Sequence, residues 1–319
     1  MDIKLVFKIY LIFGITFSYS QTYQDVLRYN SYNHEGTSRF NSMGGAFGAL
    51  GGDLSSISIN PAGSSIFLDS EFGVTLNYKN QEIKNIFNNS HSLSKDDLLS
   101  YNNIGLVLVY GNNRSKFSLG YNMNRLNDYN SSFSFNGKNS IGIDSYFLDY
   151  STGVPSSNLS VFDGESIQSV YKALGDSYGY GDQQAFLGYQ SYLINHVDDL
   201  SNNYVSNALY SNVDQLLSID RKGDHLVHSL NLSTSYNDNV YLGLNFNFHS
   251  LEFEEYKFFK ESGYSSNSNV KRVQFEENLF SYGQGLSIQL GSLLKFDNFR
   301  IGLSYTSPTY LKIEEESSQ

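Results

Sequence analysis

A side-chain period of two, sustained over most of the chain, restricts its fold more than any other feature. From Glu71, the apolar residues Phe72, Val74, Leu76 and Tyr78 alternate with Gly73, Thr75 and Asn77, which is the pattern of a strand with one apolar face. Ile104, Leu106, Leu108 and Tyr110 mark a second strand, and Phe117, Leu119, Tyr121 and Met123 a third. A fourth runs from Leu226 to Tyr236, where Leu230 and Leu232 oppose Ser229, Asn231 and Ser233. In the fifth, Val240, Leu242, Leu244, Phe246 and Phe248 oppose Tyr241, Gly243, Asn245, Asn247 and His249. Leu286, Ile288 and Leu290 belong to a sixth strand, and Phe299, Ile301, Leu303 and Tyr305 to a seventh. A water-soluble sandwich also alternates, so the connections have to separate the possibilities. Asn112-Asn113-Arg114, Asn237-Asp238-Asn239 and Asp297-Asn298 read as tight turns, whereas Lys79 to Asn103, Gly137 to His225 and Glu254 to Gly283 read as long polar excursions. Short and long connections in alternation, with strands of about 9–11 apolar-alternating residues, predict an antiparallel up-and-down transmembrane β-barrel, an all-β fold.

Composition fits that prediction. The mean hydropathy of −0.35 is that of a soluble protein, but barrel strands expose only every second side chain to lipid, which keeps the average modest. The absence of Cys excludes disulfides and thiolate metal sites. With 26 Tyr and 23 Phe there are enough aromatics for girdles at both lipid interfaces, and 3 Pro allow long ladders. A formal net charge of −11 without a basic stripe excludes nucleic acid as a partner. At the N-terminus, Lys4 and Lys8 precede the apolar stretch Leu11 to Phe17 and the small residues Ser18-Tyr19-Ser20. Residues 1–20 are therefore expected to be a cleaved export signal, with Gln21 as the mature start; the apolar run is shorter than the roughly 20 residues of a spanning helix.

Within the longest excursion, three sets of apolar residues recur at helical spacing. They are Ile167, Val170, Tyr171 and Leu174, then Phe186, Tyr189, Leu193 and Val197, and then Val205, Leu209, Val213, Leu216 and Leu217. Two or three amphipathic helices are expected there, in an extracellular insertion over 137–225. Signs of catalysis are weak. His225 and His228 resemble a metal pair, but a separation of three along a strand sends them to opposite faces. No Gly-x-Ser-x-Gly is present, and Glu252 and Glu254 share a strand face as a solvated rim. The chain reads as a non-enzyme with no cofactor and no metal.

Arg39 to Gly63 neither alternates nor forms an amphipathic pattern. Glycines at 44, 45, 48, 51 and 52 let backbone pack closely on backbone, as in a plug inside a pore, and no Lys-Ser/Thr follows them to make a phosphate loop. Gly44-Gly45-Ala46-Phe47 and Asn60-Pro61-Ala62-Gly63, with Gly302-Leu303-Ser304-Tyr305 before Ser307-Pro308, resemble the FadL/TodX family of outer-membrane transporters for long-chain fatty acids and other hydrophobic compounds. The likeness is to the Bacteroidetes versions, some of them labelled haemin receptors. The resemblance implies a bacterial outer-membrane barrel of about fourteen strands with an N-terminal hatch over 21–70. It also implies passive uptake of fatty acids or of aromatic hydrocarbons, with outer-membrane lipid as surroundings. Its implied ligand path joins Phe40, Phe47 and Leu50 of the hatch to Phe186, Tyr189, Leu193, Leu209 and Leu216 of the insertion. Relatives of the same fold that act as docking proteins in secretion or surface assembly supply the alternative. Because seven strands cannot close in lipid, and Glu314 to Gln319 read as an acidic loop, residues 71–319 are expected to be the first half of a barrel.

Overall fold

The computed structural model describes residues 27–29, 35–112, 115–197 and 202–319. The expected signal over 1–20 and residues Asn113-Arg114 of the first tight turn lie outside the described residues. The chain divides into a unit Met1–His34, in which residues 27–29 are helical, and a unit Glu35–Gln319, which contains everything that follows.

Long antiparallel strands dominate the second unit. β1 (Glu71–Phe87), β2 (Ser90–Asn112) and β3 (Ser115–Asp128) form a meander, and β4 (Ser131–Asn139) continues the line of β3. After an insertion containing the short pair β5 (Ile194–His196) and β6 (Tyr204–Ser206), β7 (Val213–Tyr236), β8 (Val240–Ser262) and β9 (Val273–Lys295) extend the meander. β10 (Arg300–Thr306) and β11 (Tyr310–Ser318) both pair with β9, as β3 and β4 both pair with β7. Each of these pairs is one strand with a break, so the curled half-barrel sheet has the seven strands that the alternation predicts. Pro308 makes the second break, since it cannot donate to the ladder. Among the described residues, the backbone ladder of β1 runs only to β2, and that of the β10–β11 line only to β9.

Three connections differ from the sequence expectation. Lys79 to Asn103 is no loop: β1 and β2 continue through it to a hairpin at Asn88-Asn89, where Asn88 has φ 52°. Exposed and half-buried residues alternate there as regularly as in the rest of both strands, so the pleat survives although the apolar signal fades. The connection expected over Glu254 to Gly283 shrinks to 263–272, and the insertion over 137–225 shrinks to 140–212. Glu314 to Ser318 also belong to β11, because Leu311 and Ile313 pack over Gly285 and Gly283 of β9 and carry the acidic residues along in register.

The insertion has its own interior. Helices Asp144–Ser151, Ile167–Ser177 and Tyr180–Gln190 surround Val154, Leu159, Leu174, Ala185 and Phe186 in one apolar cluster, and Phe147, Leu193, Ile194 and Ala208 in another. Ser166 starts the second helix with a capping box, its side chain accepting from the Ser169 N–H. The helix expected from Val205 to Leu217 does not form: Val205 lies in β6, Leu209 in a loop, and Val213, Leu216 and Leu217 in β7. Leu193 and Val197 fall beyond the third helix, which ends at Gln190. Apolar residues at spacings of three and four also fit two strands and a bend, and ladder bonds to β4 and β8 decide the outcome over Val213 to Leu217. Helix Asp144–Ser151 went unpredicted, because its apolar and aromatic residues show little periodicity.

Candidate functional site: a concave face filled by the Gly-rich segment

The two faces of the sheet are inverted relative to a soluble protein. Leu242 and Leu290 are each 53 % exposed and Leu303 is 68 % exposed on the convex face, while Ser229, Asn231, Ser233, Asn245 and Gln289 are buried on the concave face. On β8 and β9 alone, Leu242, Phe246, Phe248, Leu286, Ile288, Leu290 and Leu294 stand out from the convex surface. At about half exposure each forgoes roughly 1 kcal/mol of burial. Together they approach the net stability of about 5–15 kcal/mol of a whole domain. An apolar surface of that size needs a cover.

The Gly-rich segment lies on the concave face. Its first helix, Ser38–Ser42, begins at Thr37, whose Oγ1 accepts from the Phe40 N–H (3.1 Å) and donates to the buried Asp53 (2.8 Å). Gly44 and Gly45 turn the chain after this helix, with φ of 61° and 74°. Gly51 combines φ 62° with the backbone of Gly63 against its Cα, so no other residue fits there without strain. Asn60 caps the turn Pro61–Ile66 by accepting from the Ala62 N–H (3.1 Å), and its Nδ2 donates to Gly48 O (2.7 Å) and to Ser292 O of β9 (3.0 Å).

Two adjacent rungs of the sheet receive this turn. On the first, Asn231, Asn245 and Gln289 lie side by side on β7, β8 and β9. Asn231 Nδ2 donates to Asn245 Oδ1 (2.7 Å) and Pro61 O (3.0 Å); Asn245 Nδ2 donates to Gln289 Oε1 (2.9 Å) and Ile57 O (2.8 Å). Gln289 Nε2 donates to Ser58 O (3.0 Å) and Ile59 O (3.1 Å). Ser64 Oγ donates to Asn231 Oδ1 (2.5 Å) and sits 2.6 Å from Ser233 Oγ. The second rung holds Gly243 and Gly291, where a Cβ would collide with Pro61 and Asn60. Gly302 of β10 gives the same clearance to the Gly48 carbonyl. The side chains of the first rung thus satisfy carbonyls that the irregular segment cannot pair internally, and the bare second rung lets its backbone approach. Ala62, Tyr241 and Leu293 close one side in an apolar cluster, and Leu54, Ile57, Phe67 and Val107 close another.

The sequence-predicted motif Asn60-Pro61-Ala62-Gly63 is therefore the part of the segment most deeply docked. Phe40 and Phe47 are buried and stack on each other with ring centroids 5.5 Å apart, and the Arg39 guanidinium lies 5.3 Å from the Phe47 ring. Leu50 is half-buried and lines a cleft of about 490 Å³ with Arg39, Ile66 and Arg300. Phe186 and Leu193 are core residues of two different clusters of the insertion, and Tyr189 packs against both. Leu209 is exposed, and Leu216 is half-buried on β7 opposite Lys260. The eight residues expected along one ligand path thus occupy a stacked pair, a surface cleft, two helical cores, a loop and a strand.

Higher on the concave face, beyond the apolar convex belt, Arg221 Nε donates to Glu255 Oε2 (2.6 Å) and Lys257 Nζ lies 3.1 Å from Glu255 Oε1. Burial pushes the Glu255 carboxyl up, but Arg221 and Lys257 outweigh it and hold the group below the usual carboxylate range. His225 and His228 do face opposite ways: His225 is buried and lies 3.1 Å from His249, while His228 lies 2.8 Å from the Tyr121 hydroxyl.

Sequence reasoning named Asn231, Gly243 and Asn245 only as members of a polar face, and did not single out Gln289 or Gly291. The signal was available in the tight turn: five residues to either side of the Tyr236–Val240 pair, Asn231 falls opposite Asn245.

Fold and site together define a class, an antiparallel half-barrel with an inverted surface whose concave face holds an N-terminal segment. Comparison with known proteins finds no matching family model, no similar curated protein and no similar solved structure.

Proposed function

We propose that this chain forms strands of a bacterial outer-membrane β-barrel for passive uptake of long-chain fatty acids or similar hydrophobic molecules, with residues 35–70 as its hatch. The observation that carries this reading is the apolar convex belt on a sheet whose concave face is polar and filled. In the fifth strand the belt runs from Val240 to Phe248, a length that suits the about 9–11 residues of a tilted transmembrane strand. The hatch is held mainly by hydrogen bonds between amides and carbonyls, contacts that can be exchanged for water as a solute passes. Both sheet edges need partner strands under this reading, because an unpaired edge in lipid costs several kcal/mol per group.

One observation favours the docking alternative. Phe186 and Leu193 are committed to the interior of the insertion, whereas Phe162, Tyr178 and Tyr180 are exposed on its surface. Those exposed aromatics suit a protein partner as well as a lipid. Uptake of labelled oleate into liposomes bearing the protein separates the two readings. Uptake above that of empty liposomes is expected; none would turn the assignment to docking.

A further inference from the structure

Two β-bulges flank a patch of buried polar side chains on β2 and β3 that the hatch satisfies only in part. The register of β1 against β2 shifts beside Asn102, and that of β3 against β7 shifts between Arg125 and Asn127. Bulges re-aim side chains, and here the first turns Asn102 and Asn103 both inward, where each is buried. Asn103 pairs with Asn124 across the ladder, and Asn122 and Arg125 lie next to that pair. Asn122, Asn124 and Arg125 are buried as well. Asn103 Nδ2 donates to Asn122 Oδ1 (2.7 Å), and Asn102 Nδ2 donates to Glu35 Oε2 (3.0 Å). That leaves Asn102 Oδ1, Asn103 Oδ1 and Asn124 Oδ1 as acceptors, and Asn122 Nδ2 and Arg125 Nε as donors, each buried and without a partner among the described residues.

Such groups cost about 1–3 kcal/mol apiece when nothing fills them. Five of them on one patch point to a bound molecule. Its chemistry follows from the count. A carboxylate offers acceptors alone and would meet three further acceptors; moreover, Asp224 lies 3.6 Å from the Arg125 guanidinium and offsets its charge. Exchanging the O and N positions of Asn103 and Asn122 together still leaves one free donor and one free acceptor, so the conclusion survives the ambiguity of amide orientation.

We propose that Asn102, Asn103, Asn122, Asn124 and Arg125 bind the neutral head group of an amphiphile, one carrying hydroxyls or an amide that both donates and accepts. This deepens the uptake reading and rests on it. The test compares labelled 1-monolauroylglycerol with labelled laurate, which share one alkyl chain, for binding to the protein in amphipol at alkaline pH. The monoglyceride is expected to bind about tenfold or more tightly, a difference of about 1.4 kcal/mol. Asn122→Leu removes the free donor, and it should abolish the preference by weakening monoglyceride binding. Asn124→Leu removes a free acceptor and should act the same way, and it decides the matter if Asn122→Leu does not fold. Equal or tighter binding of laurate, or a preference that persists in the variants, overturns the head-group assignment and leaves uptake standing; in that case the patch holds water only. If neither lipid binds, the uptake reading falls with it.

Discussion

Gly291 and Asn245 illustrate how much one position on the concave face decides. A Cβ at Gly291 meets Asn60 Oδ1 and the ring of Pro61, both of which are fixed by their own bonds. Gly291→Ala should therefore lift the turn Pro61–Ile66, at a cost of about 1–3 kcal/mol. Asn245→Leu should cost about 2 kcal/mol or more by leaving Ile57 O and Asn231 Nδ2 short of a partner in a buried place. Gly48→Ala is the control, because a Cβ there meets nothing within 4 Å. The check is thiol labelling of a cysteine placed at Ser64: it should rise in Gly291→Ala and Asn245→Leu, and stay low in Gly48→Ala. At this scale the sequence was legible only in part. Asn60-Pro61-Ala62-Gly63 declared itself by its odd composition, but Gln289 and Gly291 look like ordinary small or polar members of a strand. Their role appears only when three strands are set side by side, and that register depends on turns whose geometry a sequence suggests but does not fix.

Among the elements, the strands were the easiest to read and the insertion the hardest. A strand facing two different media writes its period plainly, and all seven followed the apolar alternation. The extension of β1 and β2 through Lys79 to Asn103 was missed because its faces differ little in polarity. Helices of the insertion pack mainly on each other, so their apolar residues report a local core and not a shared face. Val205 to Leu217 shows the limit, since spacing alone could not separate a helix from two strands. Tyrosines of this element give it a pH limit. Burial, together with the hydrogen bond to Asp144, pushes the Tyr210 phenol up to about 12, and burial does the same for Tyr204. A phenol with a raised pKa in the folded state contributes stability that is whole below its ordinary value of 10.0 and is lost as pH rises to about 12. Between those limits the insertion should loosen before the sheet does. Limited proteolysis across that range should cut within 140–212 while β7 to β9 stay intact; simultaneous cleavage of both would show that these phenols do not set the limit.

For the whole molecule, the decisive question is what covers the convex belt. Leu290 makes the test clean, because it is half exposed on the convex face. In a protein surrounded by water, Leu290→Arg at such a site should change stability by no more than about 0.5 kcal/mol. Inside a bilayer the same substitution should cost about 2–4 kcal/mol. Equilibrium folding into liposomes, compared with that of Leu290→Ala, distinguishes the two. A near-zero penalty would remove the membrane from the proposal. The length of the central strands then acquires a meaning of its own. β7 and β8 need only about 9–11 residues each to cross a bilayer, yet β8 continues from Ser250 to Ser262, roughly 40 Å more along its axis. With the insertion on the outer side, as the sequence predicts, this hairpin would be a stalk. It would raise the helical insertion to the height of the polysaccharide coat, where large molecules arriving from outside meet it before anything that diffuses along the lipid surface can.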